Sequence, residues 1–296
     1  MIDLHIHTNA SDGQHTPADT VRIAADEGAR YIAITDHDRI AGLAQAKAAA
    51  ESAGIGFIPG IEISVQGNRE LHILGYYIDY NDPALARECE KFIRLREQRA
   101  DRIFDYLRNK GFALSEEQVQ KHTSQGAIGR PHFAKAMVDA GYVSTVREAF
   151  DRFLGTPEFD KVERTKPTAS EGISIILSAG GVPVLAHPSM LKLNDEEMEG
   201  LILSLKQVGL MGIECYYSMY TTEQVSKYLG YAKEFELLVT GGSDFHGEST
   251  RPGVKIGSGM SDLSVLEEDN ILESLRSGKR KVTGQSGSEC SEDTAF

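Results

Sequence analysis

Cysteine is scarce in this 296-residue chain: Cys89, Cys215 and Cys290 lie far apart and form no C-x-x-C pair. That excludes a disulfide framework and a thiolate zinc site, and it fits a reducing compartment. Long apolar runs are missing as well. No stretch approaches the roughly 18 residues of a membrane span, and the first residues lack the basic and apolar regions of a secretory leader. A cytoplasmic protein without membrane association is expected. Bases are in deficit, 31 Lys and Arg against 44 Asp and Glu, for a formal net charge of -13. This argues against indiscriminate attraction to nucleic acid over the whole surface. The rest is ordinary for a folded protein. With 41% hydrophobic and 25% charged residues the chain is neither collagen-like nor disordered throughout, and its length suits one large or two small domains.

Short apolar runs alternate with segments of helical period from the start. A strand over 2–6, a helix over 17–27 and a strand over 31–35 make a βαβ opening. Thr16 reads as the N-cap of that helix, with Pro17 at its first position, Asp19 placed for a capping box, and Gly28 as the stop. A helix over 42–53, a strand over 57–63, a turn at 66–69 and a strand over 71–78 follow, the last two strands reading as a hairpin. Residues 83–166 hold no convincing strand, only a long charged helix to 110 and helices near 115–122, 131–140 and 145–153. Alternation then returns: helix 169–179, strand 182–186, helix 195–208, strand 211–215, helix 221–235, strand 237–240, and a last helix over 263–276. The expected organisation is a discontinuous α/β body over 1–82 and 167–283, a helical insertion over 83–166, and a Ser, Gly and Glu-rich tail over 284–296 expected to be disordered. Charge divides along the same boundary. Residues 87–166 hold 16 bases and 13 acids, leaving 15 bases and 31 acids for the remainder. A basic helical cap on an acidic body has this distribution, and so do ordinary solvated helix faces.

The histidines and acids fall where the apolar runs end, which is where parallel α/β folds place functional groups. His5 and His7 are two apart on a strand and so share a face, with Asp12 in the loop that follows. The second strand ends in Asp36-His37-Asp38. The third delivers Glu62, an acid among isoleucines that is costly to bury unless paired or bound to a cation. His72 opens the returning arm of the hairpin, on the same rim as Glu62. Strand 182–186 runs into His187, and strand 237–240 leads to Asp244 and His246. Each feature alone has a structural explanation, such as a capped helix, an ion pair or a surface histidine. Five such strand ends together favour a metal site. Imidazole and carboxylate without thiolate suit zinc, manganese or iron(II), and about nine candidate ligands exceed one tetrahedral site. Multi-metal clusters are a device for phosphoester hydrolysis. His15 and His122 read as loop or surface histidines, although His15 lies close to Asp12 in the chain. Tyr216-Tyr217 reads as packing or a pocket lining, and Cys215 as core.

The chain resembles the polymerase and histidinol phosphatase (PHP) superfamily. The resemblance is carried by Asp3-Leu-His5-Ile-His7-Thr8 with Ser11-Asp12-Gly13, by Ile34-Thr-Asp36-His37-Asp38, by Gly60-Ile-Glu62, by Ala186-His187-Pro188 and by Gly242-Ser-Asp244-Phe-His246. It implies an α/β fold, a distorted (β/α)7-type barrel with a helical cap inserted, and two or three divalent ions at the strand C-terminal rim. One ion would take His5, His7, Glu62 and Asp244, a second Asp12, His37 and His246, and a third Glu62, His72 and His187. The insertion and the segment Gly129-Arg130-Pro131-His132-Phe133-Ala134 resemble the branch containing nucleoside 3',5'-bisphosphate phosphatases and 5'-to-3' exoribonucleases. Arg130 and His132 are then expected phosphate ligands, with Arg99 a third.

The implied reaction is phosphoester hydrolysis by a hydroxide bridging the metals, on a phosphorylated nucleotide or short oligonucleotide, with no obligate protein partner. Asp36 or Asp38 is expected to orient a ligand histidine, and the leaving-group acid is His132, His187 or a water. Alternatives are a histidinol-phosphate-type or other small-molecule phosphatase, a metal-dependent amidohydrolase, and a non-catalytic domain of the same fold.

Overall fold

Seven strands form one sheet in sequence order in the computed structural model, which describes residues 1–67, 71–123, 128–162, 166–258 and 268–284. They are β1 (Ile2–Ile6), β2 (Tyr31–Ile34), β3 (Gly56–Ser64), β4 (His72–Tyr76), β5 (Val182–Leu185), β6 (Gly212–Tyr217) and β7 (Leu238–Gly242). Most of their residues are buried, which is why they read as continuous apolar runs and not as alternating ones. Pairing is parallel throughout except at β4, which runs antiparallel to both β3 and β5. The β3–β4 hairpin therefore returns His72 to the rim that carries the C-terminal ends of the parallel strands, with Ser64 opposite His72 and Glu62 opposite Leu74.

The sheet is nearly closed into a barrel. Beyond β7 the backbone runs beside β1, with Asp244 N–H donating to the His5 carbonyl at 2.8 Å and His7 N–H to the Phe245 carbonyl at 2.9 Å. Gly242 permits this approach, since a Cβ there would stand 2.4 Å from the backbone nitrogen and Cβ of His5. Asp3 ties the same seam: its Oδ1 accepts from the amides of Ser243 (2.9 Å) and His5 (3.2 Å), and its Oδ2 from that of Gly257 (2.7 Å).

The chain divides into two compact units, Met1–Glu88 with Pro167–Phe296, and Cys89–Lys166. The first holds the barrel, α1 (Pro17–Asp26) and α2 (Leu43–Ala53). The second holds most of α3 (Pro83–Asn109), then α4 (Glu116–Gln120), α5 (Arg130–Asp139) and α6 (Val146–Ala149). The first resumes with α7 (Ala169–Ser178), α8 (Asp195–Gln207), α9 (Thr222–Glu234) and α10 (Glu268–Thr283). Ile2, Leu4, Leu74, Val184, Leu272 and Leu275 belong to the barrel core. Ile103, Leu107, Phe133, Met137 and Phe159 belong to that of the helical unit. Caps explain the helix starts. Thr16, Thr168, Asn194 and Thr221 each accept the amide three residues on, and Asp19 returns its carboxylate to the Thr16 hydroxyl at 2.8 Å.

Two helices depart from expectation. The helix expected over 145–153 is α6 followed by a π-helical turn, Phe150–Leu154. The last helix runs past its expected end at 276 to Thr283, with Gly278 a close-packing position facing Leu238 and Val182. The expected start of that helix at 263, positions 68 and 69 of the turn, and the tail from 285 lie outside the described residues. Among the described residues no helix is long and apolar enough to cross a membrane.

Candidate metal centre

Each strand that ends at the rim hands a polar side chain to one cluster. β1 contributes His5, the residue just beyond it His7, β3 Glu62, and β4 His72. The segments after β2, β5 and β7 contribute His37, His187, Asp244 and His246. The backbone turns sharply at three of these exits. Asp38, His187 and Asp244 have φ of 54°, 28° and 55°, a left-handed conformation that non-glycine residues hold at a cost and that concentrates at functional sites.

The ninth candidate, Asp12, sits on a loop fastened by Asp36. Its carboxylate accepts from the Thr8 amide (2.8 Å), the Thr8 hydroxyl (2.7 Å) and the Ser11 hydroxyl (2.5 Å). Asp36 thus holds the loop that carries Asp12. Asp38 accepts the Ser64 amide at 2.9 Å and donates its own to the Glu62 carbonyl, pinning the Glu62 segment. These bonds tie the two acids to the loop and to the β3 backbone.

Glu62 is the hub, fully buried. Its Oε1 lies 2.9 Å from His187 Nε2 and 3.0 Å from His72 Nδ1. Its Oε2 lies 2.9 Å from His37 Nδ1, 3.2 Å from His7 Nε2 and 3.5 Å from His5 Nε2. Asp244 divides its oxygens. Oδ2 accepts from Tyr217 Oη (2.8 Å) and Arg251 (2.5 Å), while Oδ1 faces His7 Nε2 (3.2 Å), His246 Nδ1 (3.3 Å) and His5 Nε2 (3.5 Å).

Four sets of donor atoms lie close enough together to share a cation: His7, Asp12, His37 and His246; His5, His7 and Asp244; His5, Glu62 and His187; and His37, Glu62 and His72. These are the nine residues expected from the sequence, grouped differently. His7 joins the Asp12 set, and His72 and His187 stand in separate sets although both rings meet Glu62 Oε1. His5 Nε2, His7 Nε2, His37 Nδ1 and Glu62 Oε2 are buried without a hydrogen-bond partner of acceptable geometry. Left bare, such atoms cost about 1–3 kcal/mol each. A cation among them removes that cost, and nitrogen and oxygen donors without sulfur fit a divalent first-row ion.

Electrostatics tells the same story from the protein's side. Burial alone would raise Glu62, Asp12 and Asp244, yet surrounding imidazoles, and Arg251 beside Asp244, hold all three carboxyls well below their usual range. Burial likewise opposes charge on His7, but Asp244 and Glu62 outweigh it and raise its pKa to about 10. His5 is raised against burial by Glu214 first, then by Asp244 and Glu62, and His187 by Glu62 and Asp244, whereas burial wins at His72 and pulls it down to about 3. The carboxylates are therefore ready ligands, and protons on several imidazoles hold the place of cations.

Three contributors escaped the sequence reading. Glu214, in the middle of β6 and fully buried, accepts from His5 Nδ1 (2.9 Å) and from the His187 amide (2.7 Å). An acid between Ile213 and Cys215, inside an apolar strand, carries the same signal that exposed Glu62. Tyr217 serves Asp244 as well as packing, and Arg251 sits in a loop whose sequence gives no cue. His15 stacks on Phe245, ring centroids 6.1 Å apart, and His122 pairs with Asp139.

The remaining candidates belong to the helical unit. Arg130 and His132 occupy the first turn of α5. The Arg130 guanidinium lies 5.8 Å from the Phe150 ring centre and that of Arg99 5.9 Å from Phe159. His132 Nδ1 accepts the Gly129 amide at 2.9 Å, which places the proton of the neutral ring on Nε2.

Residues 3–249 match the PHP domain model. The chain is 34% identical to a 3',5'-nucleoside bisphosphate phosphatase of Chromobacterium violaceum, over 83% of this chain and 87% of that protein. It is 35% identical to a 5'-3' exoribonuclease of Haemophilus influenzae, over 82% and 89%. A solved structure from Bifidobacterium adolescentis, provisionally assigned as a metal-dependent phosphoesterase, superposes with a TM-score of 0.78 at 29% identity, covering 94% of this chain and 96% of that one.

Proposed function

The chain belongs to the PHP domain family of metal-dependent phosphoesterases, and from that premise we propose that it hydrolyses phosphate esters of nucleotides, either a nucleoside 3',5'-bisphosphate or short 5'-phosphorylated RNA. The observation that carries the reading is the cluster of nine imidazoles and carboxylates with orphaned donor atoms turned on one another. Two or three divalent ions, of manganese, zinc or iron, would be held by His5, His7, Asp12, His37, Glu62, His72, His187, Asp244 and His246. Bound there, they lower the pKa of water towards neutrality and offset charge that develops on phosphate oxygens.

The protein's own part is to build and hold that arrangement. Glu62 offers an oxygen to each of two donor sets. Asp244, with Oδ2 engaged by Tyr217 and Arg251, presents a single oxygen, and His72 stays neutral for ligation throughout the physiological range. Asp36 fixes the loop that brings Asp12 into reach. Arg130 supplies a two-pronged phosphate donor, supported by Arg99. His132, with its proton on Nε2, can donate to a phosphate oxygen or to the leaving alkoxide. The reading places the enzyme in the cytoplasm, where its nucleotide substrates are.

The test is to load the purified protein with manganese and offer it nucleoside 3',5'-bisphosphate, short 5'-phosphorylated RNA and histidinol phosphate. Release of phosphate or mononucleotide from the first or second is expected. Turnover of histidinol phosphate alone, or of none of the three by metal-loaded protein, would overturn the proposal.

A further inference from the structure

Beyond the nine candidate ligands, one buried acid touches two of them without offering an atom to any donor set. Glu214 projects from the middle of β6, opposite Thr240 on β7, and the regular pairing breaks immediately after it. Its side chain has no solvent exposure. Oε2 accepts the backbone N–H of His187 at 2.7 Å, and Oε1 lies 2.9 Å from His5 Nδ1. An ionised carboxylate only accepts, so the His5 contact requires the proton on Nδ1. A neutral imidazole carries one proton, and with Nδ1 so occupied His5 turns a bare Nε2 towards Glu62 and Asp244.

The second contact acts on the backbone. His187 leaves β5 at φ 28° and ψ 56°, a conformation that needs support from its surroundings. The Glu214 carboxylate supplies it by fixing the amide of that residue, and His187 Nε2 then meets Glu62 Oε1 at 2.9 Å. His5 and His187 come from elements far apart in the chain, yet both belong to the set they form with Glu62. One carboxylate therefore governs two of the three ligands of a single position.

The geometry points to Glu214 as the positioning residue for the metal ion held by His5, Glu62 and His187, setting the His5 tautomer with one oxygen and the His187 backbone with the other. The inference rests on the metal-dependent reading above and deepens it, because it singles out one ion. The set of His7, Asp12, His37 and His246 contains neither of the two histidines that Glu214 holds.

Glu214→Gln tests this while preserving volume. A side-chain amide offers one acceptor and one donor, so it cannot accept from both His5 and His187. It must oppose the His187 N–H with its own N–H, or push His5 to the tautomer that blocks Nε2. Wild-type and Glu214→Gln proteins are stripped with chelator, titrated with manganese by calorimetry, and analysed for metal content after dialysis. The expected result is metal held through His5 and His187 bound about 10- to 100-fold more weakly, the ion of the His7, Asp12, His37 and His246 set unchanged, with kcat falling at saturating substrate and the far-ultraviolet circular dichroism preserved. Equal affinity and equal content in the variant overturn the inference and leave the phosphoesterase reading standing. Failure of the wild type to bind any divalent ion overturns that reading instead. Should the variant not fold, the nitrogen-15 shifts of the His5 ring in the wild-type zinc-loaded protein decide. A proton on Nδ1 supports the assignment and one on Nε2 refutes it.

Discussion

Replacing Glu62 by Gln removes the one carboxylate around which the site is arranged, and its consequences separate sharply with and without metal. Its two oxygens lie within 3.5 Å of five imidazoles, and it belongs to two of the four donor sets. Residues that merely orient a metal-bound imidazole are worth about 10–100-fold in metal affinity. A direct ligand to two sets should cost at least the upper figure, about 100-fold or ~2.7 kcal/mol, at each position it serves. In the metal-free chain the same change strands charge on the imidazoles. Breaking a buried ion pair costs about 3–5 kcal/mol, or on the order of 10 °C in unfolding temperature for a chain of this size. That loss has a defined pH dependence. The pKa of His7 is raised in the folded state to about 10, so its pairing with Glu62 and Asp244 stabilises fully below the ordinary imidazole value and fades as pH rises towards 10. The assay is metal content after dialysis, alongside thermal unfolding of chelator-stripped protein at pH 6 and pH 9. His15→Ala, outside the nine, is the control. A Glu62→Gln protein that keeps the wild-type metal content and turnover would refute the assignment of Glu62 as the shared ligand. Equal destabilisation at both pH values would refute the charge argument.

Arg251→Met should free Asp244 Oδ2, weaken manganese binding about tenfold and leave the fold intact by circular dichroism; unchanged affinity counts against a role in presenting Asp244. Manganese binding at pH 7.5 should release protons, because His7 and its raised neighbours must lose theirs to ligate. Calorimetry in buffers of different ionisation enthalpy will show this, and identical heats would contradict it. Arg130→Ala should reduce kcat/KM for a nucleoside 3',5'-bisphosphate by about 10- to 100-fold, corresponding to loss of a charged hydrogen bond of roughly 1.5–3 kcal/mol, and much less for an aryl phosphate; equal losses exclude substrate recognition. Gly242→Ala should destabilise the protein by about 1–3 kcal/mol or more through overpacking against His5, and unaltered denaturant unfolding would mean that the barrel seam can yield.

The ligands were legible because chemistry interrupts pattern. An acid or imidazole at the end of an apolar strand has no packing reason to be there, and five strand ends repeat the anomaly. How the nine group was not legible. His72 and His187 both meet Oε1 of Glu62, yet His72 groups with His37 and His187 with His5, a partition that only the three-dimensional placement of the rings decides. Glu214, an acid inside β6 as Glu62 is inside β3, carried the same signal and was missed. The net charge of -13 describes the surface at long range. Within the cluster, cations would offset Asp12, Glu62 and Asp244 and reverse the local sign.

The central claim is that these nine side chains make a metal-dependent phosphoesterase, and one titration tests it most directly. Chelator-stripped protein is given increasing manganese while phosphate release from a nucleoside 3',5'-bisphosphate and bound metal are measured on the same samples. The account predicts no release without metal and activity that climbs to a plateau as two to three ions per chain are taken up. Release that is independent of metal, or full metal uptake without any release, would contradict it.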